Sequence, residues 1–226
     1  MRHRLRAWAL TGAVWALAGG GGPAHGADCA PPESPPTLLV TVDDAEPRLD
    51  HTLGRDELGD LARGSRDALH ATQVRPLGLT SARLKIAIRT TNRALERPDG
   101  ITCVWPDSAT VEIGFDELTV YVARDYRPGS CAYAQTLDHE MTHVAINRRA
   151  VQAVVPRLER ALAGAIRDAP VLQVRDADEA RSAYTNLIDR RLSPILDDME
   201  AQRRRDNAAI DTPDSYRAMS RRCDDW

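Results

Sequence analysis

Hydrophobic positions first cluster near the start of the chain, where an apolar stretch from Ala7 to Ala18 follows Arg2, Arg4 and Arg6. Small residues come next and end in Ala24-His25-Gly26-Ala27, a small-x-small cleavage pattern. This is the layout of a secretory signal peptide over residues 1–26. The stretch is too short and too rich in glycine for a comfortable membrane span. Asp28 precedes Cys29 where a lipid-attachment site would want a small residue. The expectation is one domain over residues 27–226, exported to the periplasm or the medium and free of the membrane once cleaved.

Ala30 to Pro36 is proline-rich and reads as an extended lead-in. Thr37 to Val42 is a short β-prone run, and Asp56 to Ala62 fits a brief helix. From Leu84 the period becomes two: Leu84, Ile86 and Ile88 alternate with Lys85, Ala87 and Arg89, as in a half-buried strand. Arg97-Pro98-Asp99-Gly100 predicts a turn. Three further strands are expected over 101–105, 110–115 and 118–123, and their short connections favour an antiparallel meander.

Beyond Arg127-Pro128-Gly129 the pattern turns helical, with Ser130 placed as N-cap. Leu137, Met141, Val144, Val151, Val155, Leu158 and Leu162 recur at three, four and seven to give one apolar stripe. Pro156 is expected to kink or split this helix. A break over 168–176 precedes a second amphipathic helix over 178–206, bent at Pro194. The predicted fold class is α+β: a small, mainly antiparallel sheet packed on a long helix and a return helix.

The formal charge is −3, and the signal segment carries three arginines and no acid, so the mature chain would carry −6. That acidity argues against nucleic acid or an anionic membrane surface as partner. Four cysteines, Cys29, Cys103, Cys131 and Cys223, remain after cleavage and suggest two disulfides. The pairing expected is Cys103–Cys131 with Cys29–Cys223, one of three possible connectivities. No CxxC pair is present, which argues against a thiolate zinc site.

The chemistry lies in His139-Glu140-Met141-Thr142-His143, an HExxH motif on the predicted helix. Residues four apart on a helix lie one turn above each other, with Cβ atoms about 5–6 Å apart. Two imidazoles can then converge on one Zn²⁺ at about 2.0–2.1 Å. Glu140 lies about 100° further round and reaches past the metal. Zinc brings the pKa of a water near 7, and the carboxylate accepts its proton as the water attacks a carbonyl. The same carboxylate can pass that proton to a leaving amine.

Strand, loop and an HEMTH helix resemble the zincin metallopeptidases. Val120 to Arg148, with Gly129-Ser130-Cys131-Ala132-Tyr133 leading into the motif, is similar to bacterial exported proteins described only as predicted zinc proteases. A looser likeness extends to Ile210-Asp211-Thr212-Pro213. The resemblance implies a zincin-like fold acting on a protein or peptide substrate, which would be bound by strand addition. The strand expected to receive it is Leu118 to Ala123. Ile146 and Arg149 stand where the metzincin extension requires Gly and His, so that subfamily is excluded. His51 and His70 lie far upstream and read as ordinary or satisfied histidines. The third zinc ligand is therefore expected to be a downstream carboxylate, as in glutamate-type zincins.

If the two helices reverse near residue 172, the motif centre at Met141 faces a level near residue 203. Glu200 is the nearest carboxylate, followed by Asp206, Asp197 and Asp198, and Glu200 is the expected ligand. Asp176, Asp178 and Glu179 lie too near the turn and are better placed to charge a helix start. Asn147 lies on the face of His143 and reads as a ligand-orienting or a plain polar residue. Asp138 is a candidate partner for an imidazole. Tyr133 and Tyr216 are candidate oxyanion donors or packing residues. Arg203-Arg204-Arg205 reads as a solvated helix face or as a partner of Glu200. Two functions follow: zinc-dependent hydrolysis of peptide bonds, with Glu140 as base, or a secreted module whose zinc is structural.

Overall fold

The computed structural model describes residues 29–30, 33–64, 76–224 and 226, so the signal segment and His70 lie outside the described residues. The elements in chain order are β1 (Thr37–Asp43), β2 (Arg48–Asp50), α1 (Arg55–Gly64), β3 (Gly78–Glu96) and β4 (Thr102–Val122). They continue with α2 (Cys131–Arg167), β5 (Leu172–Val174), α3 (Ala177–Ile210) and α4 (Pro213–Ser220).

The three separate runs expected between residues 101 and 123 are one 21-residue strand, β4. The apparent interruptions are bulges. Thr91 pairs with Ser108 and Asn92 with Pro106, so Asp107 is the extra residue; Arg83 pairs with Glu117 and Leu84 with Phe115, so Asp116 is the other. A bulge tolerates Pro106, which has no N–H for the ladder. Each bulge aspartate is held by an arginine of β3, Arg93 Nε to Asp107 Oδ1 at 2.5 Å and Arg83 Nε to Asp116 Oδ1 at 2.8 Å.

The expected antiparallel meander is also corrected. β3 runs antiparallel along one edge of β4, while the other edge is shared by β5, β1 and β2. Both β1 and β2 pair with β4 in parallel, with Thr37 opposite Ser108 and Arg48 opposite Thr119. Parallel pairing needs a long connection, and β3 lies within it, so the sheet is mixed.

That geometry also explains the disulfides, which are Cys29–Cys103 and Cys131–Cys223 and not the pairing expected. β1 runs parallel to β4, with Thr37 opposite Ser108, so Cys29 and Cys103 both precede the same end of this pairing. This brings Cys29 to Cys103, at a Cα separation of 5.6 Å. The other bridge joins the first residue of α2 to the tail beyond α4, at 5.7 Å. Two disulfides suit an oxidising compartment. No helix among the described residues is long and apolar enough to cross a membrane.

The core lies between the sheet and the α2–α3 pair. Val111, Ile113 and Phe115 of β4 meet Val144, Val151, Leu158 and Leu162 of α2 and Ile188, Leu192 and Met199 of α3. Removing such apolar surface from water contributes roughly 1.5–3 kcal/mol per large side chain. The stripe differs from expectation at two places: Met141 is exposed, and Val154 is buried where Val155 was expected. α2 stays continuous through Pro156, as α3 does through Pro194.

Candidate metal centre

α2 is capped where the sequence suggests, with Ser130 accepting from the Tyr133 backbone N–H at 3.2 Å. Two turns on, His139 and His143 bring their Nε2 atoms to 3.3 Å from each other. Asp211 Oδ1 lies 3.0 Å from His139 Nε2 and 3.1 Å from His143 Nε2. These three residues form a group that can hold a metal ion. Two ligands at about 2.0–2.1 Å from a tetrahedral ion lie about 3.3–3.4 Å apart, so the triangle suits one small cation. A set of two imidazoles and one carboxylate is also suited to zinc chemistry.

Asp211 occupies the junction between α3 and α4, where α3 has just ended. Thr212 caps α4 through a capping box and Pro213 opens it, so the chain turns sharply there. The turn carries Tyr216 to the centre, where its hydroxyl donates to Asp211 Oδ1 at 3.1 Å. The Cys131–Cys223 bridge holds the tail beyond α4 against the start of α2.

Glu140 is 4 % exposed and points to the start of β3. Thr80 Oγ1 lies 2.9 Å from Glu140 Oε2 and 3.0 Å from the Glu140 carbonyl oxygen, to either of which it can donate. Burial pushes the Glu140 carboxyl above its usual range, against the opposing pull of His143, His139 and Thr80. Burial opposes the charged form of His143, yet the Asp211 hydrogen bond and the charges of Glu140 and Asp211 outweigh it and raise the ring to about 9. Burial acts to raise Asp211, but its bonds to His139 and His143 hold it well below the usual carboxylate range. Burial, then the charges of Asp211 and Glu140, push the Tyr216 hydroxyl far up.

Glu200 is not at this centre. Its carboxylate accepts two bonds from Arg203, both at 2.7 Å, and one from Arg204 at 3.3 Å. The reason is the register of the helical hairpin. The contacts His139–Asp211, His143–Asn207 and Asn147–Arg203 are each symmetric about residue 175, not 172. β5 lies within the connection and pairs with β4. Asp211 thus stands level with His139. A signal for it was present in Asp211-Thr212-Pro213, a helix end followed by a cap and a first-turn proline.

The alternatives Asp197, Asp198 and Asp206 are exposed, with Asp198 paired to Arg157 and Asp206 accepting from Gln202. Comparison of the chain with family models, curated proteins and solved structures gives no match. The remaining candidates sort by geometry. Asp138 is exposed. His51 is satisfied by the Val122 carbonyl at 3.0 Å and meets Tyr133 edge-on. Asn147 and Arg203 are buried, while Arg204 and Arg205 are exposed. Leu118 to Ala123, the stretch expected to receive a peptide, is not a free edge: β3 pairs along one side of it and β2 pairs with Thr119 to Tyr121 on the other.

Proposed function

We propose that this protein is an exported zinc-dependent peptide hydrolase with His139, His143 and Asp211 as metal ligands and Glu140 as general base. The observation that carries the reading is Asp211 Oδ1 within 3.1 Å of both Nε2 atoms of the HExxH pair. Bound zinc would supply Lewis acidity, polarising a carbonyl and bringing the pKa of a water near 7. Glu140 accepts that water's proton, and its raised pKa suits it to return the proton to the leaving amine. Thr80 holds the carboxylate in place from β3. Tyr216 Oη donates to Asp211 beside the other ligands and is the candidate donor to developing negative charge on the carbonyl oxygen.

Among the described residues no strand pairs with the outer edge of β3, which passes Glu140 at Gly78 and Thr80. An extended peptide adding there would lie beside the reacting groups. The test is Glu140→Gln: about one zinc per chain should stay bound while peptide turnover is lost. Full turnover in that variant would overturn the assignment of the base.

A second reading, a secreted module with structural zinc, draws on Tyr216, whose hydroxyl lies close enough to the ligands to complete them. Chelation separates the two. Stripping a structural ion unfolds the domain, whereas stripping a catalytic one removes activity from a protein that stays folded.

A further inference from the structure

His143 is tied to the interior by a continuous chain of hydrogen bonds that the hydrolytic scheme does not use. Its Nδ1 lies 2.7 Å from Asn207 Oδ1. Asn207 Nδ2 donates to Asn147 Oδ1 at 3.1 Å and to the Arg203 carbonyl at 2.8 Å. Asn147 Oδ1 also accepts from Arg203 Nη1 at 2.9 Å, and Glu200 grips the far side of the same guanidinium. Asn147, Arg203 and Asn207 are 1–2 % exposed, so water does not compete for these bonds.

Each orientation in the chain follows from the one before it. A guanidinium only donates, so the atom of Asn147 that faces Arg203 must be its oxygen. That oxygen, together with the acceptor-only carbonyl of Arg203, requires the NH₂ of Asn207 to face them. Asn207 therefore turns its oxygen to His143, and the ring must place its hydrogen on Nδ1. Nε2 is left with its lone pair directed at His139 and Asp211, the arrangement a metal ligand needs. We propose that Arg203 and Asn147, acting through Asn207, are positioning residues that set the ring tautomer of His143. The proposal rests on the metal-centre reading for its purpose, but the tautomer can be read without metal.

The test labels the histidines with nitrogen-15 and reads the neutral His143 ring in metal-free protein carrying Asp211→Ala, which removes the carboxylate that faces Nε2 and would hold a hydrogen there. Zinc affinity is measured alongside, with Asp211 in place, by competition with a chelator. With Asn147, Arg203 and Asn207 intact, that protein should carry the hydrogen on Nδ1; a hydrogen on Nε2 overturns the proposal. Asn147→Leu leaves the Arg203 carbonyl as the one acceptor holding the Asn207 NH₂, so the amide orientation loosens, part of the hydrogen should move to Nε2 and zinc affinity should fall about tenfold. Arg203→Met should act in the same direction, and Asn147→Leu carries the test if that variant does not fold. Adding Asn207→Asp to Asn147→Leu offers His143 an oxygen in either carboxylate orientation; it gives up the bond to the Arg203 carbonyl and should return the hydrogen to Nδ1 at some cost in stability. An equal loss in the Asn207 and N207D backgrounds would mean that Asn147 acts by packing alone, and would overturn the proposal. Failure of wild type to bind zinc would sink the metal reading, while the tautomer measurements still decide the relay.

Discussion

Asp211 Oδ1 lies 3.0 Å from His139 Nε2 across 72 residues of chain, and both residues are equidistant from the reversal of the α2–α3 hairpin. Asp211→Ala should therefore remove zinc binding, measured as metal content after dialysis, while leaving the helical signal in circular dichroism near wild type.

Glu200→Ala should do the reverse. It leaves the Arg203 guanidinium, which is 2 % exposed, without its carboxylate partner. Breaking a buried pair costs roughly 3–5 kcal/mol. The low end, about 3 kcal/mol, is expected because Asn147 keeps one N–H satisfied. Urea unfolding measures the loss, and zinc stoichiometry should stay at about one per chain, as a mononuclear site requires.

Acidity should act on the centre through His143. Its pKa in the folded, metal-free protein is raised from 6.5 to about 9. The stabilisation from its protonated form is thus complete below pH 6.5 and lost as pH rises through about 9. Zinc must displace that proton, so zinc affinity should climb by up to about tenfold per pH unit and level off once the ring is neutral. Asp211, held below its usual range, stays ionised throughout. Thermal melts and chelator competition across this range give the two curves, and a zinc affinity flat with pH would contradict the assignment of His143.

The two disulfides should separate by function. Each closes a long loop, 74 residues for Cys29–Cys103 and 92 for Cys131–Cys223. Loss of either should cost about 2–5 kcal/mol. Only the second holds the tail beyond α4, the helix that carries Tyr216. Cys131→Ser with Cys223→Ser should weaken zinc binding and turnover; Cys29→Ser with Cys103→Ser should lower the melting temperature alone.

Gly78→Ala should disturb Glu140 directly. An added Cβ would sit 2.7 Å from the Tyr121 carbonyl oxygen and 2.8 Å from both Glu140 Cγ and Thr136 Cγ2. Overpacking of this kind costs about 1–3 kcal/mol. Because Glu140 is one of the atoms displaced, turnover should fall further than the stability loss accounts for, with zinc still bound.

The local part of the candidate site was readable in residue order. HExxH placed His139 and His143 one turn apart and Glu140 beside them, because helical geometry depends only on neighbouring residues. The alternation from Leu84 to Arg89 marked β3, and Ser130 marked the start of α2, for the same reason. What only the tertiary structure decided were the long-range registers. The α2–α3 hairpin is registered about residue 175 and not 172, which exchanges Glu200 for Asp211 as the carboxylate facing the motif. β1 runs parallel to β4, which sends Cys29 to Cys103. Asp107 and Asp116 bulge out of one long strand, each paired with an arginine of β3. Where a chain reverses, and which distant strand it then meets, depends on packing among elements far apart in sequence; no local period carries that information.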